Sequence, residues 1–112
     1  MAAPINNHTM FAGETRTFTV TSRDDATGAL IDFTSATIEW IVKDASGASV
    51  IDKTVGSGIT VTATGVFTIS LATAATSSLS GDYAHECVTV LADGTRATLF
   101  TGTLHVNPTL VP

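Results

Sequence analysis

The stretch that decides the fold runs from Leu79 to Val106: Leu79-Ser80-Gly81-Asp82-Tyr83-Ala84-His85-Glu86-Cys87-Val88-Thr89-Val90-Leu91-Ala92-Asp93-Gly94-Thr95-Arg96-Ala97-Thr98-Leu99-Phe100-Thr101-Gly102-Thr103-Leu104-His105-Val106. Two alternating runs, Tyr83 to Leu91 and Arg96 to Val106, flank Ala92-Asp93-Gly94-Thr95. A period of two is the pattern of a half-buried strand, and Asp-Gly supplies the positive φ angles of a two-residue type I′ turn. The expected hairpin sets Val90 opposite Ala97, Val88 opposite Leu99, Cys87 opposite Phe100 and Tyr83 opposite Leu104. A three-residue loop would shift these pairs.

The same period recurs upstream. Thr15 to Ser22 places Phe18 and Val20 on one face and Thr17, Thr19 and Thr21 on the other. Thr37 to Lys43 sets Ile38, Trp40 and Val42 against Thr37, Glu39, Ile41 and Lys43. Ser49 to Thr54 reads as a short strand, and residues 59 to 71 read as a hairpin with Gly65 at its tip and Phe67, Ile69 and Leu71 on one face. Ala72 to Ser78 is the one helical suggestion, too short to hold by itself. Polar, Gly-bearing segments at 23–28, 44–47 and 56–58 punctuate the strands. Seven to nine short strands with regular turn signals predict an all-β, two-sheet sandwich.

Composition agrees. Threonine supplies 21 of the 112 residues, and β-branched side chains suit a pleated surface better than a helix. With 44% hydrophobic and 13% charged residues the chain is expected to fold, and its length suits one domain. The net charge of −5, with no Lys/Arg cluster, argues against nucleic acid as a partner. No stretch approaches a membrane span, and the start from Met1 has no signal-peptide pattern. The single Cys87 makes no internal disulfide, so packing alone must hold the domain.

Leu79-Ser80-Gly81-Asp82-Tyr83, heading a strand after a corner segment, looks like a tyrosine corner, in which the Tyr hydroxyl bonds back to upstream backbone. Together with Trp40 in mid-strand it sharpens the expectation to an immunoglobulin-like sandwich over residues 13 to 106. Residues 1–12 form an N-terminal arm in this reading, and 107–112 a C-terminal tail. The position two after the corner tyrosine, Cys in disulfide-linked immunoglobulin domains, is His85. Trp40, Tyr83, Phe18, Phe67 and Phe100 are the expected fold-defining residues.

A search for chemistry finds no catalytic, cofactor or metal constellation. His8, His85 and His105 lie in separate segments without ligand spacing. His85 is expected to face the core with one hydrogen bond, and His8 and His105 to face solvent. Cys87 is read as a small buried hydrophobe without a base beside it. Asp24, Asp25, Asp44 and Asp52 lack a calcium-loop pattern and read as turn residues.

What remains is surface. On the final hairpin the outer face carries Val88, Val90, Ala97 and Leu99, and the neighbouring Trp40 strand adds Ile41, giving an apolar patch with few charges. A clustered patch on an outer sheet face marks a partner surface or a surface under the chain's own termini; simple β-propensity filling is the third reading. The two ends are themselves apolar, with Ile5, Met10 and Phe11 in one and Leu110 and Val111 in the other, which adds them to the candidate contacts.

From Gly13-Glu14-Thr15-Arg16-Thr17-Phe18-Thr19-Val20, through Leu30 to Trp40, Gly65 to Leu71 and Leu79 to Tyr83, to Asp93-Gly94 and Gly102-Thr103-Leu104-His105-Val106, the sequence resembles the N-terminal immunoglobulin-like domain of phage baseplate upper proteins and related small phage virion proteins. The resemblance implies a non-enzymatic virion component that docks on a tail, baseplate or head, with other virion proteins and copies of itself as partners, and that is made in the host cytoplasm. It transfers no functional residue, because the matching positions are fold-defining. Baseplate proteins of this family continue into fibre or receptor-docking regions, so a chain ending at Pro112 is expected to be an adaptor or decoration protein. The alternative is a carbohydrate- or cell-surface-binding module, which would need an exposed aromatic platform.

Overall fold

A computed structural model describes residues 5–24 and 27–108 of the chain. The strands are β1 (His8–Phe11), β2 (Arg16–Thr21), β3 (Thr37–Lys43), β4 (Ser49–Val55), β5 (Gly58–Ala63), β6 (Val66–Leu71), β7 (Gly81–Val90) and β8 (Arg96–Asn107), with one helical turn, α1 (Thr73–Thr76), between β6 and β7. They are hydrogen-bonded in the order β1-β8-β7-β3-β4-β5-β6-β2. The β4–β5 junction is the weak link of that ladder. It has two register pairs, Thr54 with Gly58 and Val55 with Ile59, and glycines at φ +86° (Gly56) and +101° (Gly58) let the chain fold sharply there.

The sheet therefore closes over itself into two layers. Ile59 of β5 and Phe67, Ile69 and Leu71 of β6 share one core with Trp40, Val42, Cys87, Phe100, Leu104 and Val106 from the opposite layer. The Phe18 ring of β2 lies 6.0 Å from Trp40, across the interior rather than along the ladder. This is the all-β, immunoglobulin-like sandwich that the alternation predicts. Trp40, Phe67 and Phe100 are buried, while Phe18 and Tyr83 are half-buried at its margin.

The tyrosine corner is present. The Tyr83 hydroxyl accepts from the Ser80 amide and donates to the Ser80 carbonyl, each at 3.0 Å. Tyr83→Phe removes both bonds and is expected to lower unfolding free energy by about 1–2 kcal/mol in a urea titration. An unchanged midpoint would show that the corner contributes no stability.

Two expectations need correction. The β7–β8 connection is a three-residue loop, with Leu91 N–H donating to Thr95 O and Gly94 at φ +90°. Val90 consequently faces Arg96 and Val88 faces Thr98, one residue off the two-residue register. A bulge between Cys87 and Val88 then absorbs one residue of β8 and restores Cys87 with Phe100 and Tyr83 with Leu104. The absorbed residue is Leu99, which turns inward beside Phe100 and is only 8% exposed. Leu99 is thus core, not outer patch.

The second correction concerns Met10, one of the contact residues expected in the N-terminal arm of residues 1–12. Ile5 bridges Thr101, and His8 to Phe11 lie parallel to Leu104 to Asn107 as an edge strand. Met10, proposed as a contact residue, is 2% exposed and belongs to the core.

Candidate interaction face

Alternation in β3 buries Ile38, Trp40 and Val42 and turns Glu39, Ile41 and Lys43 outward; in β7 it buries His85, Cys87 and Thr89 and turns Glu86, Val88 and Val90 outward. Strand register then assembles the face in rows. Asp52, Ile41 and Glu86 form one row across β4, β3 and β7, and Thr54, Glu39, Val88 and Thr98 form the next, extending to β8. Thr37, Val90 and Arg96 form a third. The twisted sheet makes this face a shallow trough of about 700 Å³, with Val55, Lys43 and Arg96 on its lining.

The structure brings Ile41, Val88 and Val90 together as expected, each half-buried. The expectation of few charges fails. Glu39, Glu86 and Asp52 surround the apolar stripe, with Lys43 and Arg96 nearby. Glu39 and Asp52 are diagonal neighbours, and a hydrogen bond that the protonated Glu39 carboxyl donates to Asp52, followed by the charge of Asp52, holds Glu39 above the usual carboxylate range. The face is an apolar stripe set among charges of both signs, the composition of a polar-rimmed contact surface.

The terminal candidates divide. Ile5 is 74% exposed and Phe11 is 55% exposed, both along the outer edge of the sandwich. Leu110 and Val111 lie outside the described residues, as does Asp25.

The buried chemistry is accounted for by packing. Burial first, then Glu86, pushes the Cys87 thiol up to about 12, so it stays protonated and unreactive. Asp32, Asp44 and Asp93 each accept bonds from residues two ahead (Thr34, Ser46 and Thr95), and Asp24 accepts from the Thr27 amide. Asp24 and Asp44 hold turns as the sequence predicts, whereas Asp52, also expected in a turn, lies within β4 on the outer face. Among the described residues no group of three or more His, Cys, Asp or Glu is placed to hold a metal ion.

His105 faces solvent as expected, and the other two histidines depart from expectation. His105 lies on the surface with Nδ1 against Asp82 Oδ1. His8 does not face solvent: its ring lies 4.7 Å from Phe18 and 5.7 Å from His85. His85 is 2% exposed and makes two hydrogen bonds rather than one. The sequence search also passed over Gly102, although a glycine in mid-strand is a known mark of close backbone approach.

No family model matches the chain, and no curated protein matches its sequence. Among solved structures, the fibronectin(III)-like modules of Clostridium thermocellum CbhA align at 11% identity with a TM-score of 0.48, covering 95% of this chain and 92% of that one. CopC from Methylosinus trichosporium OB3b aligns at 14% identity and TM-score 0.48, covering 96% of this chain and 86% of that one.

Proposed function

We propose that this chain is a non-enzymatic structural component of a bacteriophage particle, a tail or baseplate adaptor or a capsid decoration protein, acting in many copies through contacts with other virion proteins and with itself. The reading rests on the ordered run of motifs shared with phage baseplate upper proteins. The observation that carries its mechanism is the concave outer face of β3 and β7, where Ile41, Val88 and Val90 lie among Glu39, Glu86, Asp52, Lys43 and Arg96. A partner side chain seated over the stripe would bury apolar area while the flanking charges fix its orientation. Neither nucleic acid nor membrane is a partner in this proposal.

Mass spectrometry of purified particles tests the location; absence of the protein overturns it. Ile41→Lys and Val88→Lys test the face. Both positions point away from the core, so the variants are expected to fold with stability changed by about 0.5 kcal/mol or less, yet to be lost from particles at least about tenfold, the effect of a rim-to-core charge mismatch worth about 1.4 kcal/mol. Normal incorporation of both would move the contact to Ile5 and Phe11.

A further inference from the structure

The N-terminal segment crosses the sandwich at one glycine. His85 of β7 and Gly102 of β8 are directly opposed, and the Asn6 carbonyl sits where a Gly102 side chain would be. A Cβ there would collide with Asn6 O and crowd Asn6 C and Asn7 Oδ1, yet Gly102 has no left-handed φ that would itself call for glycine. The residue is glycine for space. Above it, His85 Nε2 lies 2.6 Å from Asn6 O, while the indole Nε1–H of Trp40 donates to His85 Nδ1 at 3.1 Å.

These two bonds define the tautomer. Nδ1 faces an N–H and must be bare, so the proton sits on Nε2 and is donated to Asn6 O. A second proton on Nδ1 would set two donors against each other inside the core. We propose that the His85–Asn6–Gly102 crossing is an acid-released latch: neutral His85 holds residues 5–8 over β8, and a second proton, which sets Nδ1–H against the Trp40 N–H, turns the ring out toward water, so that its bond to Asn6 breaks and that segment is freed while the sandwich stays folded.

Among the described residues, the surroundings offer a buried imidazolium no anionic partner. β1 presents His8, β2 presents Phe18 with Arg16 stacked over it, β3 presents Trp40 and β8 presents Phe100. On β7 itself, Cys87 is a neutral thiol and Glu86 turns to the opposite face. Burial, and to a smaller extent the charge of His8, hold His85 below the ordinary histidine range against the opposing bond to Asn6. Its contribution is therefore complete at pH above that range and is lost as pH falls below the unfolded value toward the folded one. Release stays local, because β1 beyond His8 is held separately by Met10 in the core, by Ala12 N–H to Asn107 O and by Gly13 N–H to Thr76 Oγ1.

Amide hydrogen exchange on the full chain, corrected for intrinsic rates, tests this at about pH 7.5 and about pH 5. Residues 5–8 and the Thr101 and Thr103 amides beneath them are expected to lose protection by about tenfold or more at the lower pH, while β3 and β6 amides hold theirs. Trp40 is the only tryptophan, so its fluorescence should change along the same titration as its N–H loses the His85 ring. His85→Gln keeps one donor and one acceptor but no titration, and should abolish both changes; His8→Gln should keep them. Gly102→Ala should expose residues 5–8 at both pH values. Equal protection of residues 5–8 at the two pH values in the unaltered chain overturns the proposal, as does a pH step that survives His85→Gln.

Discussion

Trp40→Ala is expected to reduce unfolding free energy by about 3–5 kcal/mol, the cost of an unfilled aromatic cavity. Trp40 is fully buried at the centre of β3, where Phe18 reaches it from the facing layer and its indole N–H satisfies His85. Truncation removes the ring and also leaves His85 Nδ1 without a donor in a dry interior, which moves the loss toward the top of that range. Domains of this size hold only about 5–15 kcal/mol in total, so the variant should be largely unfolded or melt far earlier. Circular dichroism through a urea titration measures it. Trp40→Phe separates the terms, because it keeps most of the apolar area and deletes only the N–H; it should cost about 1–3 kcal/mol. A Trp40→Ala midpoint within experimental scatter of the parent would mean that the two layers do not meet at this residue.

The second large effect is Leu99→Asp. A two-residue hairpin turn would put Leu99 outside, where aspartate is harmless. The bulge puts it beside Phe100 in the core. An aspartate there must lose its hydration or hold its proton, and the site loses a leucine's packing; together these should cost about 3–5 kcal/mol. Val88→Lys, one strand away on the outer face, should change stability by about 0.5 kcal/mol or less. The contrast between the two in one urea experiment decides the register directly. Similar, small losses for both would return Leu99 to the outer face and remove the bulge.

Acid titration carries two signals of opposite sign. His85 penalises folding as pH falls. His105 is held above the ordinary range by its bond to Asp82 and then to Asn107, so its contribution is present below the unfolded value and fades as pH rises through the folded one. A global melting curve sums both, which is why the latch calls for residue-level exchange.

Much of the fold is legible in the residues. The alternation of Ile38, Trp40 and Val42 against Glu39, Ile41 and Lys43 orients β3, because a strand has only two faces and one must be dry. Leu79-Ser80-Gly81-Asp82-Tyr83 carries its own hydrogen-bond geometry over three residues. The outer positions of Ile41, Val88 and Val90 follow from the same parity. The sequence reading misplaced Leu99 because one extra residue in a strand reverses every later side chain, and whether a bulge forms depends on the neighbouring strand.

What is local was readable from the residues: an all-β chain, the strands from β2 to β8, the turn roles of Asp24 and Asp44, and the facing of β2, β3 and most of β7. Those properties depend on periods of two and on contacts a few residues apart. Tertiary structure alone decided the rest. Residues 5–12 became an edge strand because β8 offered open backbone groups, Met10 became core because that strand faces inward, and charges from β3, β4, β7 and β8 met around Ile41. Asn6, His85 and Gly102, far apart along the chain, became one site because strand register set His85 opposite the only residue small enough to let the chain cross.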